Sequence, residues 1–382
     1  MNLLRFAGIS ILLAGPMLYA RQGCADSLQN AFSARISTEH DSNPAMSPTY
    51  PGSVQRVLFE PSYSLVSRDR ENDLKAGLGL QLVRTSNTTL DANRDSPVVF
   101  LDWLHQYTHG EFRISPKYAE TATRVSGVDS TGQVAAGSTR ASRSLSGMLS
   151  NHLSELSTLA ADGTFEKVTY KGGNYVDYSS ESGGLKFSHA LSEITTPFFR
   201  VSGTRYAPAN GDPSSNLADA ALGLDWKTEY SDWTLQGGAA KVGGGFKRIL
   251  EGSVTGRFTG RRKEWTLNVG RQVVPSGLGG FVRADQALGS WRYALSEYNN
   301  TGIDLEARKN FPITINIDKT RSTTAGVWME HDFTPLWKMR MYYRRWINQV
   351  NGNESVSSNL LGLSLAYESA TLKPLTYEPN HD

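Results

Sequence analysis

The 382 residues carry a formal net charge of +2, which argues against a nucleic-acid partner, because domains that bind nucleic acid are usually strongly basic. The mean hydropathy of −0.39 excludes a helical-bundle membrane protein but not a β-barrel, in which only alternate residues face lipid. The length would suffice for two or three soluble domains, yet no Pro/Ser-rich linker and no block of charge divides the chain.

The first 25 residues predict an export signal. Arg5 supplies the positively charged n-region of such a signal. The apolar run from Phe6 to Leu18 is shorter than the about 20 residues that a membrane helix needs. Gly23 and Ala25 favour cleavage after Ala25, and Ala20 marks a second possible cleavage site. The alternative is that the segment remains as a helical anchor.

Cys24 is the only cysteine. Cleavage after Ala25 would leave a mature chain without disulfides or cysteine-based metal sites. The alternative is a lipidated Cys24, but Arg21 stands where lipoprotein signals carry an apolar residue. The histidines show no metal-ligand spacing, so the sequence predicts neither a metal nor another cofactor.

From about residue 28 to 367 the chain shows apolar and polar residues in alternation, with almost no helical pattern. Side chains of a strand point to opposite faces in turn, so each such run predicts a strand with one apolar face. In the first half we expect strands over residues 32–37, 56–66, 74–82, 98–107, 111–122, 142–159, 164–170, 185–191 and 198–206. We place a tight turn at residues 161–163 and the longest loop at residues 124–140, which could fold into the barrel or remain outside it.

In the second half we expect strands over residues 222–227, 233–239, 250–258, 265–271, 291–293, 303–307, 324–332, 337–347 and 360–367. The pattern is weakest between residues 281 and 309. The sequence therefore predicts an all-β protein in which residues 26–382 form one transmembrane, antiparallel, up-and-down β-barrel of about 18 strands, with 16 as the alternative. Such a barrel satisfies all backbone hydrogen bonds between its strands.

Short turns alternate with longer loops, which predicts that both termini lie in the periplasm. Trp233, Trp265 and Trp337 each follow a short turn, in phase with the apolar face. An interfacial aromatic belt would lie there. The alternative is that these side chains belong to the core of a soluble sandwich.

The clearest hairpin covers residues 324–347, where one face is apolar and the other carries several cations. The alternation predicts that the following charged residues face the lumen: Arg35, Arg56, Lys75, Arg113, Lys117, Lys338, Arg340 and Arg344, together with Glu330, Asp225 and Glu251. An excess of inward cations would favour anionic solutes by raising their local concentration. Alternatively, these charges pair across the barrel and only hold it open.

His152 and Ser154 stand two residues apart in a predicted strand, which resembles the His and Ser of outer-membrane lipid hydrolases. The alternation turns both side chains toward the lumen rather than toward lipid, and no orienting acid is identifiable. The sequence contains no nucleophile-elbow, P-loop or paired zinc motif. We therefore expect no catalytic residue.

Residues 39–44 read Glu-His-Asp-Ser-Asn-Pro, and residues 59–65 read Phe-Glu-Pro-Ser-Tyr-Ser-Leu. This pattern resembles the outer-membrane, porin-like β-barrel proteins encoded with exopolysaccharide export clusters in Gram-negative bacteria. The resemblance implies a role in polysaccharide export or assembly, with the polysaccharide and its export proteins as partners. The last strand, with Gly362, Leu365 and Tyr367, is similar to the signal read by the barrel assembly machinery, although Leu360 replaces a usually polar residue.

These observations predict a channel or scaffold in the cell outer membrane, surrounded by outer-membrane lipid, for the export or assembly of a secreted polysaccharide. One alternative is a general diffusion porin with a preference for anions. The other is a lipid-modifying enzyme.

Overall fold

The structure is a computed structural model that describes residues 27–49, 52–123, 138–173, 175–243, 248–313, 318–351 and 354–369. The predicted signal and most of the predicted long loop, residues 124–137, lie outside the described residues. Within the described ranges, no helix is long and apolar enough to cross a membrane.

The described chain forms 18 strands. Their bounds are β1 Ser27–Asp41, β2 Val54–Arg68, β3 Asn72–Thr85, β4 Arg94–Tyr107, β5 Gly110–Ala122, β6 Thr139–His152, β7 Ser157–Lys171, β8 Tyr178–His189, β9 Thr195–Pro208, β10 Ser215–Lys227, β11 Ser231–Val242, β12 Arg248–Thr259, β13 Lys263–Ser276, β14 Gly280–Ala294, β15 Asn299–Pro312, β16 Thr320–Thr334, β17 Trp337–Val350 and β18 Val356–Glu368. Each strand pairs antiparallel with the next one along the chain.

The first and last strands close the sheet. β1 pairs antiparallel with β18 from Ser33 opposite Glu368 to Asp41 opposite Leu360. Closure removes the free edges that an open sheet would expose to lipid. The prediction of an all-β, up-and-down barrel of 18 strands is confirmed, and the count excludes the 16-strand alternative.

Large apolar side chains cover the outer face of the barrel. Leu78 and Met341 are 53% and 54% exposed, whereas large apolar side chains of a soluble protein are mostly buried. Their neighbours across the ladders, such as Tyr63 opposite Leu78, point to the same side. The outer surface is therefore an apolar band suited to lipid.

The two ends of the barrel differ in the length of their connections. At one end the connections are short, such as residues 69–71 and 335–336. At the other end the first two connections cover residues 42–53 and 86–93. Outer-membrane barrels have short periplasmic turns and longer external loops, so we call these the periplasmic and the external end.

The predicted strand over residues 142–159 and the predicted turn at residues 161–163 are wrong. The chain turns at residues 153–156, where the Ser154 hydroxyl accepts hydrogen bonds from the backbone N–H groups of Leu156 (3.3 Å) and Ser157 (3.1 Å). A hydroxyl-stabilised turn of this kind leaves a weaker sequence signal than Asp-Gly does.

β7 instead runs through the Asp162-Gly163 pair that the sequence suggested as a turn. The Asp162 carboxylate forms an ion pair with Arg200 of β9 at 3.1 Å, which requires Asp162 to remain in the strand. Arg140, predicted as the last residue of the long loop, also lies in a strand and pairs with Glu166 at 2.7 Å.

Candidate solute pore

On its β12 side, the external half of the β13–β14 hairpin separates from the barrel wall. The β12–β13 ladder ends where Gly252 faces Arg271. β13 and β14 nevertheless stay paired with each other as far as Ser276 and Gly280. On the other side, β14 stays paired with β15 as far as Val282 opposite Pro312. The tip of this hairpin, residues 272–283, can therefore fold into the barrel from its β12 side, and we call it the inner hairpin.

Where β13 loses its backbone partner on β12, a side-chain carboxylate accepts a backbone hydrogen bond instead. Glu251 of β12 accepts a hydrogen bond from the backbone N–H of Val273 at 2.7 Å. An unpaired backbone N–H would be costly in a buried position, because it would have lost water without gaining a partner. Glu251, predicted to face the lumen, thus anchors the base of the inner hairpin.

The inner hairpin packs against the inner faces of β7 to β12. Phe281 is fully buried, its ring lies 5.8 Å from that of Tyr206, and the Tyr206 ring lies 5.0 Å from that of Tyr178. The Tyr206 hydroxyl donates a hydrogen bond to the Ser276 carbonyl at 3.0 Å. The buried cluster consists of Val168, Tyr178, Tyr206, Leu217, Ala240, Val242, Ile249, Val273 and Phe281. This apolar core inside the barrel narrows the lumen on one side.

The tip of the inner hairpin is held by its backbone. The Val176 N–H donates a hydrogen bond to the Gly277 carbonyl at 2.7 Å. A Cβ at Gly277 would overlap the Tyr170 ring and its hydroxyl, so a larger residue there would have to displace Tyr170. Gly279 has a φ of +100°, a conformation that favours glycine in the turn.

The rest of the lumen contains a cavity of about 1360 Å³, lined by the inner faces of β1 to β5 and β11 to β18. Five of the predicted lumen residues line it: Arg35, Arg56, Glu330, Arg340 and Arg344. Lys75, Arg113, Lys117 and Lys338 lie on the same inner faces, as their ladder partners Asp102, Leu104, Phe100 and Asp332 show.

Several of these cations have carboxylate partners. Arg35 lies 3.9 Å from Glu60, Lys75 3.4 Å from Asp73, Arg113 3.8 Å from Asp102 and Lys338 2.6 Å from Glu368. Asp225, predicted on the inner face, pairs with Lys186 at 3.0 Å. Pairing with nearby charged side chains therefore cancels much of the charge that the sequence suggested was available to solutes.

Arg56 is not available to solutes, although it lies on the inner face. It is 4% exposed, its Nε lies 2.5 Å from an Asp91 oxygen, and its Nη1 lies 2.9 Å from an Asp41 oxygen. This buried ion cluster lies at the external end, where it joins the connection between β3 and β4 to strands β1 and β2 of the wall.

Arg340 and Arg344 differ from the other predicted cations. Neither has a carboxylate within ion-pair distance among the residues that the structure describes. The Arg340 guanidinium lies 4.1 Å from the centre of the Trp328 ring, and that of Arg344 lies 5.7 Å from the Trp346 ring. Cation–π contact orients each guanidinium without cancelling its charge.

The acidic residues of the cavity wall that were not predicted to face the lumen include Glu39, Glu60, Asp304 and Glu306. Asp304 and Glu306 lie in β15, where the sequence pattern was weakest, and Glu39 lies in a segment predicted as loop. The alternation of Ile303 and Leu305 with the two acids was the available signal. Asp304 and Glu306 form a negative strip two strands away from Arg340 and Arg344.

The predicted belt residues lie on the outer face near the periplasmic end. Trp265 and Trp337 are 51% and 42% exposed, and Trp233 lies opposite Trp226 in the β10–β11 ladder. Trp291 was not among the predicted belt residues; it lies opposite Trp265 in the β13–β14 ladder, and the two rings are 6.0 Å apart. The anchoring role of these residues remains a prediction.

His152 and Ser154 do not share a strand face, which corrects the prediction. β6 ends at His152, whose Nδ1 lies 3.1 Å from the Thr158 hydroxyl, and the Ser154 hydroxyl is occupied by the turn. Over the described ranges, no group of three or more His, Cys, Asp or Glu side chains could hold a metal ion.

No protein-family model and no curated protein matches the chain. Among solved structures, the chain is similar to OpdO of Pseudomonas aeruginosa, with a TM-score of 0.51, 10% identity, and coverage of 91% of this chain and 98% of that one. It is also similar to OccAB4 of Acinetobacter baumannii, with a TM-score of 0.50, 10% identity, and coverage of 90% and 99%. At this identity the likeness is one of fold. The chain has a porin-like β-barrel fold, and its closed wall and apolar outer face are those of a cell outer-membrane protein.

Proposed function

We propose that the protein is an outer-membrane channel through which small hydrophilic solutes diffuse. The observation that carries this proposal is the polar, charged cavity of about 1360 Å³ inside a closed barrel of 18 strands. Barrels of 16 to 18 strands are wide enough to leave an aqueous channel. The inner hairpin narrows this channel from one side.

The cavity wall carries charges of both signs, and two of its arginines support a modest preference for anions. Arg340 and Arg344 have no carboxylate in ion-pair contact within the described chain, whereas Asp304 and Glu306 oppose their field from β15. In a water-filled lumen these fields extend over about 10 Å at 0.1 M salt. The preference should therefore be present at low salt and weaken as salt is raised.

Reversal potentials across a planar bilayer under a salt gradient test this proposal. The purified protein is expected to conduct and to prefer anions at low salt. Arg340→Gln with Arg344→Gln should reduce the preference, and the matched variant Asp304→Asn with Glu306→Gln should increase it. A protein that inserts without conducting would contradict the channel, and equal behaviour of both variants would contradict the assignment of selectivity.

Export of a secreted polysaccharide is the second candidate function. Trp328, Tyr342 and Trp346 lie on one inner face, and an aromatic row of this kind could support a sugar chain. However, two of these rings already contact arginines, and the Tyr342 hydroxyl donates a hydrogen bond to Glu39 at 2.6 Å. The diffusion channel fits better, and loss of polymer secretion on deletion of the gene would favour export instead.

A further inference from the structure

The outer face of the barrel carries an excess of cations toward its external end. The outward-facing acids of the described strands each lie beside a cation: Asp95 2.7 Å from Arg84, Glu120 3.4 Å from Lys171, Asp285 2.6 Å from Arg271, and Glu181 opposite Arg205. Further exposed cations on this face are Arg143, Lys167, Arg248, Lys309, Arg321 and Arg345. The wall itself therefore does not neutralise this end of the outer face.

Several of these cations lie directly opposite each other in the ladders. The registers place Arg143 opposite Lys167 and Lys309 opposite Arg321. Like charges in directly opposite positions destabilise a sheet. An anion between the two side chains would remove this repulsion.

The pair formed by Lys309 and Arg321 has the clearest surroundings. Neither side chain forms an ion pair with any residue that the structure describes. Asp285, the partner of Lys309 in the next ladder, is already held by Arg271 through two contacts of 2.6 and 2.9 Å. Asp285 is therefore shared with Arg271, and no carboxylate of the described wall pairs with Lys309 or Arg321 alone.

The outer surface next to this pair, on the side toward the membrane centre, is apolar. Leu305, on the membrane side of Lys309, is 55% exposed, and Ile347 of β17 is 37% exposed. Cations above an exposed apolar surface match a lipid whose acyl chains cover the apolar side chains and whose anionic head group meets the cations. The periplasmic end of the outer face carries the tryptophan belt instead.

We propose that Lys309 and Arg321 bind a phosphate monoester of a phosphorylated glycolipid in the external leaflet of the outer membrane. A phosphate monoester carries close to two negative charges at pH 7, which matches two cations, whereas the phosphodiester of a common phospholipid carries one.

The test is a titration of the purified full-length barrel with bisphosphorylated lipid A, followed by native mass spectrometry. Lys309→Gln with Arg321→Gln should weaken binding about ten-fold or more, because each cation near an anionic lipid surface contributes to binding. Lys227→Gln with Lys263→Gln, which removes two cations near the periplasmic end, should leave binding unchanged. Lipid A stripped of its phosphates should bind the wild type no better than it binds the Lys309/Arg321 variant.

Equal weakening by both double variants would overturn the proposal, because it would show attraction to net charge alone. Equal affinity for phosphatidylglycerol and lipid A would overturn it too, since the monoester would then not be recognised. The variants should fold, because both positions are exposed and the substitution removes a repulsion. In lipid-free detergent, the thermal midpoint of the Lys309/Arg321 variant should equal or exceed that of the wild type, and a lower midpoint would contradict the repulsion.

Discussion

At the residue scale, Arg56 connects parts of the chain that are distant in sequence. Its guanidinium contacts Asp91, in the connection between β3 and β4, and Asp41 at the end of β1. Asp41 in turn accepts a hydrogen bond from the Ser358 hydroxyl of β18 at 2.5 Å. One buried cluster therefore joins a loop to the seam where the barrel closes. Removing one partner of such a cluster leaves a buried charge without full compensation.

Asp91 gives this cluster a dependence on pH. Burial by itself would raise the pKa of Asp91, but hydrogen bonds and charges from Arg94 and Arg56 outweigh it and lower the pKa below its ordinary value of 3.8. A lowered folded-state pKa stabilises the protein above about pH 4, and this stabilisation is lost as the pH falls through the lower value. The thermal midpoint in detergent should therefore fall between pH 5 and pH 2.

Asp91→Asn should lower the thermal midpoint at pH 7, with a cost near the low end of the about 3–5 kcal/mol for breaking a buried ion pair, because Arg56 keeps Asp41. Between pH 5 and pH 2, the thermal midpoint of the same variant should fall by less than that of the wild type. The control is Asp95→Asn, whose exposed pair with Arg84 should contribute at most about 1 kcal/mol. Equal effects of the two variants at pH 7 would contradict the buried cluster.

The face of a residue could be predicted from the sequence, but its partner could not. Alternation placed Arg56 and Arg340 on the inner side of their strands, since each strand repeats with a period of two. Whether a cation is buried with an acid or left beside a ring depends on the neighbouring strand and on the loops. Asp91 lies in a loop without periodicity, so no local pattern predicted its contact with Arg56.

At the element scale, the inner hairpin shows that alternation predicts which face of a strand is apolar but not what that face contacts. Val273, Pro275 and Phe281 occupy positions that would face lipid if the hairpin continued in the wall. The inner hairpin instead turns this apolar side to the inner faces of β7 to β12. Lipid and an apolar wall select the same side chains, so the sequence pattern cannot distinguish the two placements.

Phe281→Ala should loosen the inner hairpin and widen the pore. Truncation of a buried phenylalanine typically costs about 3–5 kcal/mol, and here that loss falls on the packing between the hairpin and the wall. We expect higher single-channel conductance and faster swelling of liposomes in larger sugars. Phe165→Ala, which truncates a 45% exposed outer-face ring, is the matched control and should leave conductance unchanged. Unchanged conductance in the Phe281 variant would mean that the inner hairpin does not limit the pore.

At the scale of the whole molecule, the barrel could be predicted because its construction is local. Each strand pairs with the next, so the order of strands follows from the order of hairpins. The misplaced turn at residues 161–163 moved one boundary but left the number of strands unchanged, since the hairpin itself was recognised. The shape of the lumen depends on the inner hairpin and on cross-strand ion pairs, which no repeat in the sequence reveals.

The phase of the wall can be tested in the middle of β3, where Leu78 faces outward and Lys75 inward. An arginine at the lipid-facing midplane costs about 2–4 kcal/mol, because its charge must leave water for hydrocarbon. Lys75 pairs with Asp73 at 3.4 Å beside an aqueous lumen, so its loss should cost at most about 1 kcal/mol. Leu78→Arg should therefore greatly reduce the heat-modifiable, folded fraction in outer membranes, and Lys75→Gln should leave most of it intact. Equal reduction by both would show that the assigned faces are wrong, because only the outward position exchanges water for lipid during assembly.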